Sequence, residues 1–138
     1  MVCVTLTDAG PLIALLDRDE PDHAGCVEQL QILSAPMLIT WPAFTEAMYL
    51  VGDGLGWRGQ EVLWRILKRG DLRLAEAGAA TVDRMERLMS KYRDVPMDLA
   101  DASLVAVAEE RGLTTIFTLD RDFRVYRLLG RRPFVIVP

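Results

Sequence analysis

Three features of the sequence predict an α/β fold built on a central, largely parallel sheet. Short apolar runs with strand character alternate with longer segments of helical periodicity, which is the pattern of strand–helix–strand crossovers. Leu99–Ala108 is apolar nearly all the way round, as a buried helix is. The 138 residues, 51% hydrophobic and 26% charged, suffice for one domain (residues 1–138) with a substantial core, and no internal repeat or low-complexity stretch interrupts them.

Val2–Thr7 is apolar and β-branched and reads as the first strand. Asp8 ends it, and Ala9-Gly10-Pro11 leads into a short helix through Leu12–Leu16. After the polar break at 17–21, a second helix is expected over Asp22–Leu33, with Ala24, Val27, Leu30 and Ile32 or Leu33 turned inward. Met37–Trp41 is the second strand, and Pro42 opens a helix over Ala43–Val51 at its favoured first position. Gly52–Gly56 reads as a flexible connection before an amphipathic helix, Trp57–Arg69. Leu72–Ala75 is a third strand. Thr81–Tyr92 is helical, with Val82, Met85, Leu88 and Met89 at helical spacing. The buried helix then runs to Gly112, a C-terminal glycine cap. Thr114–Thr118 is a strand, Asp122–Leu129 a short helix stopped by Gly130, and Phe134–Val137 the last strand.

Composition narrows the function. Met1–Leu6 is too short for a signal peptide and lacks a basic flank, and no run approaches the roughly 20 apolar residues of a membrane span. Cys3 and Cys26 lie in apolar settings without metal-ligand spacing, so reduced thiols in a cytoplasmic protein are expected. A net charge of −4 argues against broad coating of nucleic acid. With His23 the single histidine, any metal site must be built almost wholly from oxygen, which favours Mg²⁺ or Mn²⁺ over Zn²⁺. Gly52-x-Gly54-x-Gly56 does not follow a strand, no Gly-Lys pair forms a phosphate loop, and His23 has no well-placed nucleophile nearby. A haloacid-dehalogenase type phosphatase would need Asp at position 10, where Gly stands.

The acids remain. Asp98 and Asp101 sit three apart at the head of the apolar helix, on neighbouring parts of one face. A buried carboxylate without compensation costs several kcal/mol, on the scale of a domain's whole stability. Asp8 follows strand one, Glu46 falls just after strand two, and Asp120 follows the fourth strand. Ligands of open α/β sheets bind at the carboxyl ends of the strands, where Asp8, Glu46, Asp101 and Asp120 converge if the strands are parallel. A divalent cation answers their repulsion and equips the pocket to hydrolyse a phosphodiester with an activated water. Asp98 is a helix N-cap or a further ligand. Asp122 is the expected cap of the last helix and Asp120 the site residue. Arg121, Arg124, Arg127, Arg131 and Arg132 are contacts for RNA phosphates or a solvated face. Trp41, Trp57 and Trp64 read as core or dimer contacts.

Four segments together resemble the PIN domain, in particular the VapC-like ribonuclease toxins of bacterial type II toxin–antitoxin systems. They are Asp8-Ala-Gly-Pro-Leu-Ile-Ala-Leu-Leu-Asp, the Pro-Ala-Phe-Thr-Glu-Ala stretch that holds Glu46, Met97-Asp-Leu-Ala-Asp-Ala, and Thr118-Leu-Asp-Arg-Asp-Phe. The resemblance spans essentially the whole chain and implies a three-layer α/β/α sandwich. It also implies an Mg²⁺- or Mn²⁺-dependent endoribonuclease with Asp8, Glu46 and Asp101 as core acids, Asp120 as the fourth and Thr118 as a supporting polar residue. A homodimer and neutralisation by a small antitoxin protein are implied too. The competing expectation is a PIN-like protein-binding module without catalytic turnover.

Overall fold

A computed structural model describes residues 4–34 and 36–138. Five strands form one parallel sheet: β1 (Leu6–Thr7), β2 (Met37–Thr40), β3 (Leu72–Ala75), β4 (Thr115–Phe117) and β7 (Val135–Val137), in the order β3-β2-β1-β4-β7. The registers pair Leu6 with both Leu38 and Ile116, Met37 with Leu72 and Thr115 with Val135. Between the strands run α1 (Ala9–Leu16), α2 (His23–Ile32), α3 (Trp41–Arg69), α4 (Ala79–Lys91) and α5 (Leu99–Arg111). The chain builds outward from β1 to β3 and then returns to the other side of β1. Crossovers of one hand running in opposite directions place α1 and α2 on one face and α4 and α5 on the other. The sheet therefore has its switch point between β1 and β4, where open α/β sheets bind ligands.

The buried helix is as the sequence predicts. Ala100 to Ala108 are all buried in α5, and Gly112 closes it in the left-handed conformation at φ 67°. The expected strand over Val2–Thr7 is seen at Leu6–Thr7; its first two residues, Val2 and Cys3, lie outside the described residues. Cys26 is a free, buried thiol.

Four expectations are corrected. The connection at Gly52–Gly56 is no loose linker: α3 continues through it and kinks at Gly56, whose φ of 67° suits only glycine. Its two halves then pack so closely that a Cβ on Gly59 would sit 2.6 Å from Val51 Cγ1. The predicted helix over Asp122–Leu129 is instead a 3₁₀ turn (Arg121–Arg124) followed by a hairpin of β5 (Arg127–Leu128) and β6 (Arg132–Pro133). Positive φ at both Leu129 and Gly130 makes this the mirror-image turn that matches strand twist. Third, α2 buries only Cys26 fully. Ile32 is exposed, and Val27, Leu30 and Leu33 line an apolar groove of about 460 Å³ with Leu12, Leu15 and Leu16 of α1. Finally, of the two readings of Trp41, Trp57 and Trp64, core or dimer contact, their exposure overturns the first; Trp57 is 62% exposed.

Candidate metal centre

The carboxyl ends of β1 and β4 and the head of α5 meet at the switch point. Asp8 leaves β1 with its N–H donating to Phe117 O (2.9 Å), and its side chain caps α1 by accepting from Ala9 N (2.8 Å). The other carboxylate oxygen accepts from the Thr118 hydroxyl (2.8 Å), and that hydroxyl accepts from Asp120 N (3.0 Å). Buried Thr118 thus locks Asp8 to the loop that bears Asp120. Asp98 caps α5 by accepting from Asp101 N (2.8 Å), which fixes Asp101 in the first turn with only 5% of its surface exposed. Asp101 Oδ2 accepts from the hydroxyl of fully buried Tyr126 (2.7 Å).

Asp8, Asp101 and Asp120 each offer a carboxylate oxygen, and the three oxygens lie within 4.8 Å of one another. Opposite oxygens around Mg²⁺, with bonds of roughly 2.1 Å, stand roughly 4.2 Å apart, so the spacing is close to that of one ion's ligands. Glu46, half-buried on α3, lies outside this group of three but faces it: burial raises its carboxyl pKa, and Asp8, Asp98 and Asp120 raise it further.

Electrostatics set this site apart from the rest of the molecule. The ion pairs among the described residues are Arg65–Glu61, Arg69–Asp71, Arg84–Glu109 and Arg87–Asp83, and none reaches the cluster. Its acids are held by neutral donors alone. Burial accordingly raises Asp8, against the opposing hydrogen bonds from Thr118 and Ala9. Asp101 is pushed up to about 8, chiefly by burial, with Asp98, Asp8 and Asp120 adding to the rise and the Tyr126 hydrogen bond opposing it. Three crowded acids with oxygen-only donors and no neighbouring cation fit a hard divalent ion.

Asp120, rather than Asp122, caps the 3₁₀ turn, accepting from Asp122 N (2.9 Å) while it faces the cluster. The arginine run is divided by the fold. Arg121 and Arg124 line a depression of about 230 Å³ beside Thr118 and Asp120. Arg127 folds onto its own backbone, donating to Arg124 O (2.6 Å) and Tyr126 O (3.0 Å). Arg131 and Arg132 line a separate hollow with Gly112 at the far end of α5. His23 donates from Nδ1 to Ala14 O (2.6 Å), a tie between α2 and α1.

Two features escape sequence reasoning. Tyr126 carries no signal of spacing, because it was expected within a helix. The buried Ser103–Thr40 hydroxyl pair (2.5 Å) joins α5 to β2, and a lone serine in an apolar helix was a usable hint of it.

The sequence profile of the PIN domain matches residues 5–128. Ribonuclease VapC26 of Mycobacterium tuberculosis is 32% identical over 134 residues, which cover 96% of this chain and 99% of that protein. The chain belongs to the PIN-domain family, among the VapC ribonucleases. Solved structures share the VapC fold. The Mycobacterium tuberculosis VapC20 toxin, described as cleaving the sarcin–ricin loop, superposes with a TM-score of 0.83 at 16% identity, covering 94% of this chain and 99% of that one. A chain of a toxin–antitoxin complex from Klebsiella pneumoniae gives a TM-score of 0.67 at 18% identity, covering 86% and 89% of the two chains. The site acids occupy the switch point of this VapC fold.

Proposed function

We propose that this VapC-type chain is an Mg²⁺- or Mn²⁺-dependent endoribonuclease whose ion is held by Asp8, Asp101 and Asp120, with Glu46 facing the same basin. The observation that carries the reading is the group of three carboxylate oxygens within 4.8 Å, without a cationic partner among the described residues. A divalent ion bound there supplies a water of lowered pKa and charge neutralisation at a phosphoryl group. The chain's residues do the rest. Thr118 and Ala9 N–H fix both oxygens of Asp8, and Asp98 fixes the backbone of Asp101. Glu46, its pKa raised by burial and by the charge of the cluster, accepts or holds a proton beside it. Asp98 serves as the cap of α5 and adds negative charge from outside the group of three.

RNA is the substrate, with Arg121 and Arg124 placed to meet flanking phosphates. A homodimer is supported by the exposed aromatic residues of α3, Trp41, Tyr49 and Trp57. A small antitoxin is supported by the toxin–antitoxin complexes among the relatives of like fold. A cytoplasmic location accords with a free buried thiol and with the absence, among the described residues, of any helix long and apolar enough to cross a membrane.

The test is cleavage of transfer and messenger RNA by the purified chain with Mn²⁺, with and without chelator. Cleavage that stops on chelation supports the proposal. Ion binding without cleavage would favour the binding-module reading instead.

A further inference from the structure

We propose that Tyr126 is a positioning residue for the metal centre: its hydroxyl, 2.7 Å from Asp101 Oδ2, fixes the rotation of that carboxylate so that it offers an oxygen toward Asp8 and Asp120. This rests on the reading of those acids as ligands.

A short acid on the first turn of a helix keeps free rotation about its last bond unless a donor holds it. Asp8 has two such donors, Ala9 N beside it and the Thr118 hydroxyl from the loop after β4, and Asp120 has one, Asp122 N. Asp101 takes its donor from 25 residues further along the chain. The ring that delivers the hydroxyl is itself held. Tyr126 is fully buried, with Tyr92 and Phe123 each edge-on at 5.1 Å, and Phe123 in turn meets Phe134. The backbone beside it is fastened as well, since Arg127 N donates to the Tyr92 hydroxyl (3.1 Å). Tyr126 is the one fully buried tyrosine among the described residues. Neutral donors that orient metal-ligating carboxylates govern affinity without touching the ion.

Three variants decide it, by calorimetric Mn²⁺ titration and by RNA cleavage across a range of Mn²⁺. Tyr126→Phe keeps the ring contacts and removes only the donor. Its Kd for Mn²⁺ is expected to rise about tenfold, with cleavage lost at low Mn²⁺ and restored to near the native kcat at saturation. Phe123→Leu loosens the same aromatic cluster but keeps the hydroxyl; it should lower Tm and raise the Mn²⁺ Kd by less than Tyr126→Phe does. A native Kd in Tyr126→Phe, or an equal rise in Phe123→Leu, would overturn the assignment. Asp101→Asn separates the two readings: if it binds Mn²⁺ and cleaves normally, the metal site itself is misplaced, and Tyr126 falls with it. If only Tyr126→Phe is silent, the site stands and the positioning role alone is wrong.

Discussion

The two ends of α5 each bury a carboxylate, and they treat it in opposite ways. At the C-terminal end Glu109 accepts two hydrogen bonds from Arg84 (2.7 and 3.1 Å) and a third from Leu129 N (2.6 Å), and its side chain is 5% exposed. At the N-terminal end Asp101 is buried, is paired with no cation among the described residues, and faces two more acids. The first arrangement is complete in itself: an ion pair that also tethers the β5–β6 hairpin to the helix. The second leaves buried acids without a charged partner, a cost that is retained at sites of function more readily than in scaffolding. The contrast shows that this fold can supply an arginine to a buried acid, and that at the switch point it supplies none.

The largest effect that sharpens this contrast is on activity. Asp101→Asn should reduce Mn²⁺-dependent RNA cleavage by more than about a hundredfold, since even residues behind the ligands can cost roughly 10–100-fold. The metal-free variant should nonetheless melt at the native temperature or above, because buried repulsion is relieved. An assay of rate beside a thermal melt checks both. Glu109→Gln should do the reverse. Partial exposure of Arg84 moderates the loss to about 1–3 kcal/mol of stability, read by urea unfolding, with the Kd for Mn²⁺ untouched.

The pH dependence distinguishes the two ends next. The folded chain keeps a proton on Asp101 to about pH 8, whereas the unfolded chain gives it up near the ordinary 3.8. In that interval the folded state binds more protons, so the metal-free protein should lose stability as pH rises from about 4 to 8. Asp101→Asn should flatten the profile there, and the native affinity for Mn²⁺ should increase with pH as the ion displaces that proton. Melting curves across pH, with and without Mn²⁺, read this directly. The smallest effect is expected at the rim: Arg121→Ala or Arg124→Ala should raise KM for RNA and lower the salt slope of binding by about 0.7 each, with kcat retained.

Much of this was legible in the sequence, for a physical reason. A helix apolar on every side has to be buried, so the acids at its head had to be either compensated or functional. Alternation of strands and helices then carried Asp8 and Asp120 to the same edge. The parts that were not legible depend on contacts distant in sequence. Leu129 takes positive φ beside Gly130 where Glu109 holds its N–H, and this tertiary tie overrides the helical appearance of residues 122–129. That in turn hid Tyr126, whose hydroxyl finds Asp101 only once the hairpin is formed. The Gly52–Gly56 segment misled in the opposite sense, since glycine permits close packing as readily as flexibility. Asp120 and Asp122 were told apart wrongly as cap because one aspartate can cap a turn and face a site at once.

The central claim, that an ion takes the place of the absent arginine, is tested most directly by anomalous diffraction from crystals of the chain soaked in Mn²⁺. A single strong peak bounded by Asp8, Asp101 and Asp120, and lost in Asp101→Asn crystals, is the predicted result. Density elsewhere, with those three carboxylates unliganded at saturating Mn²⁺, would contradict it.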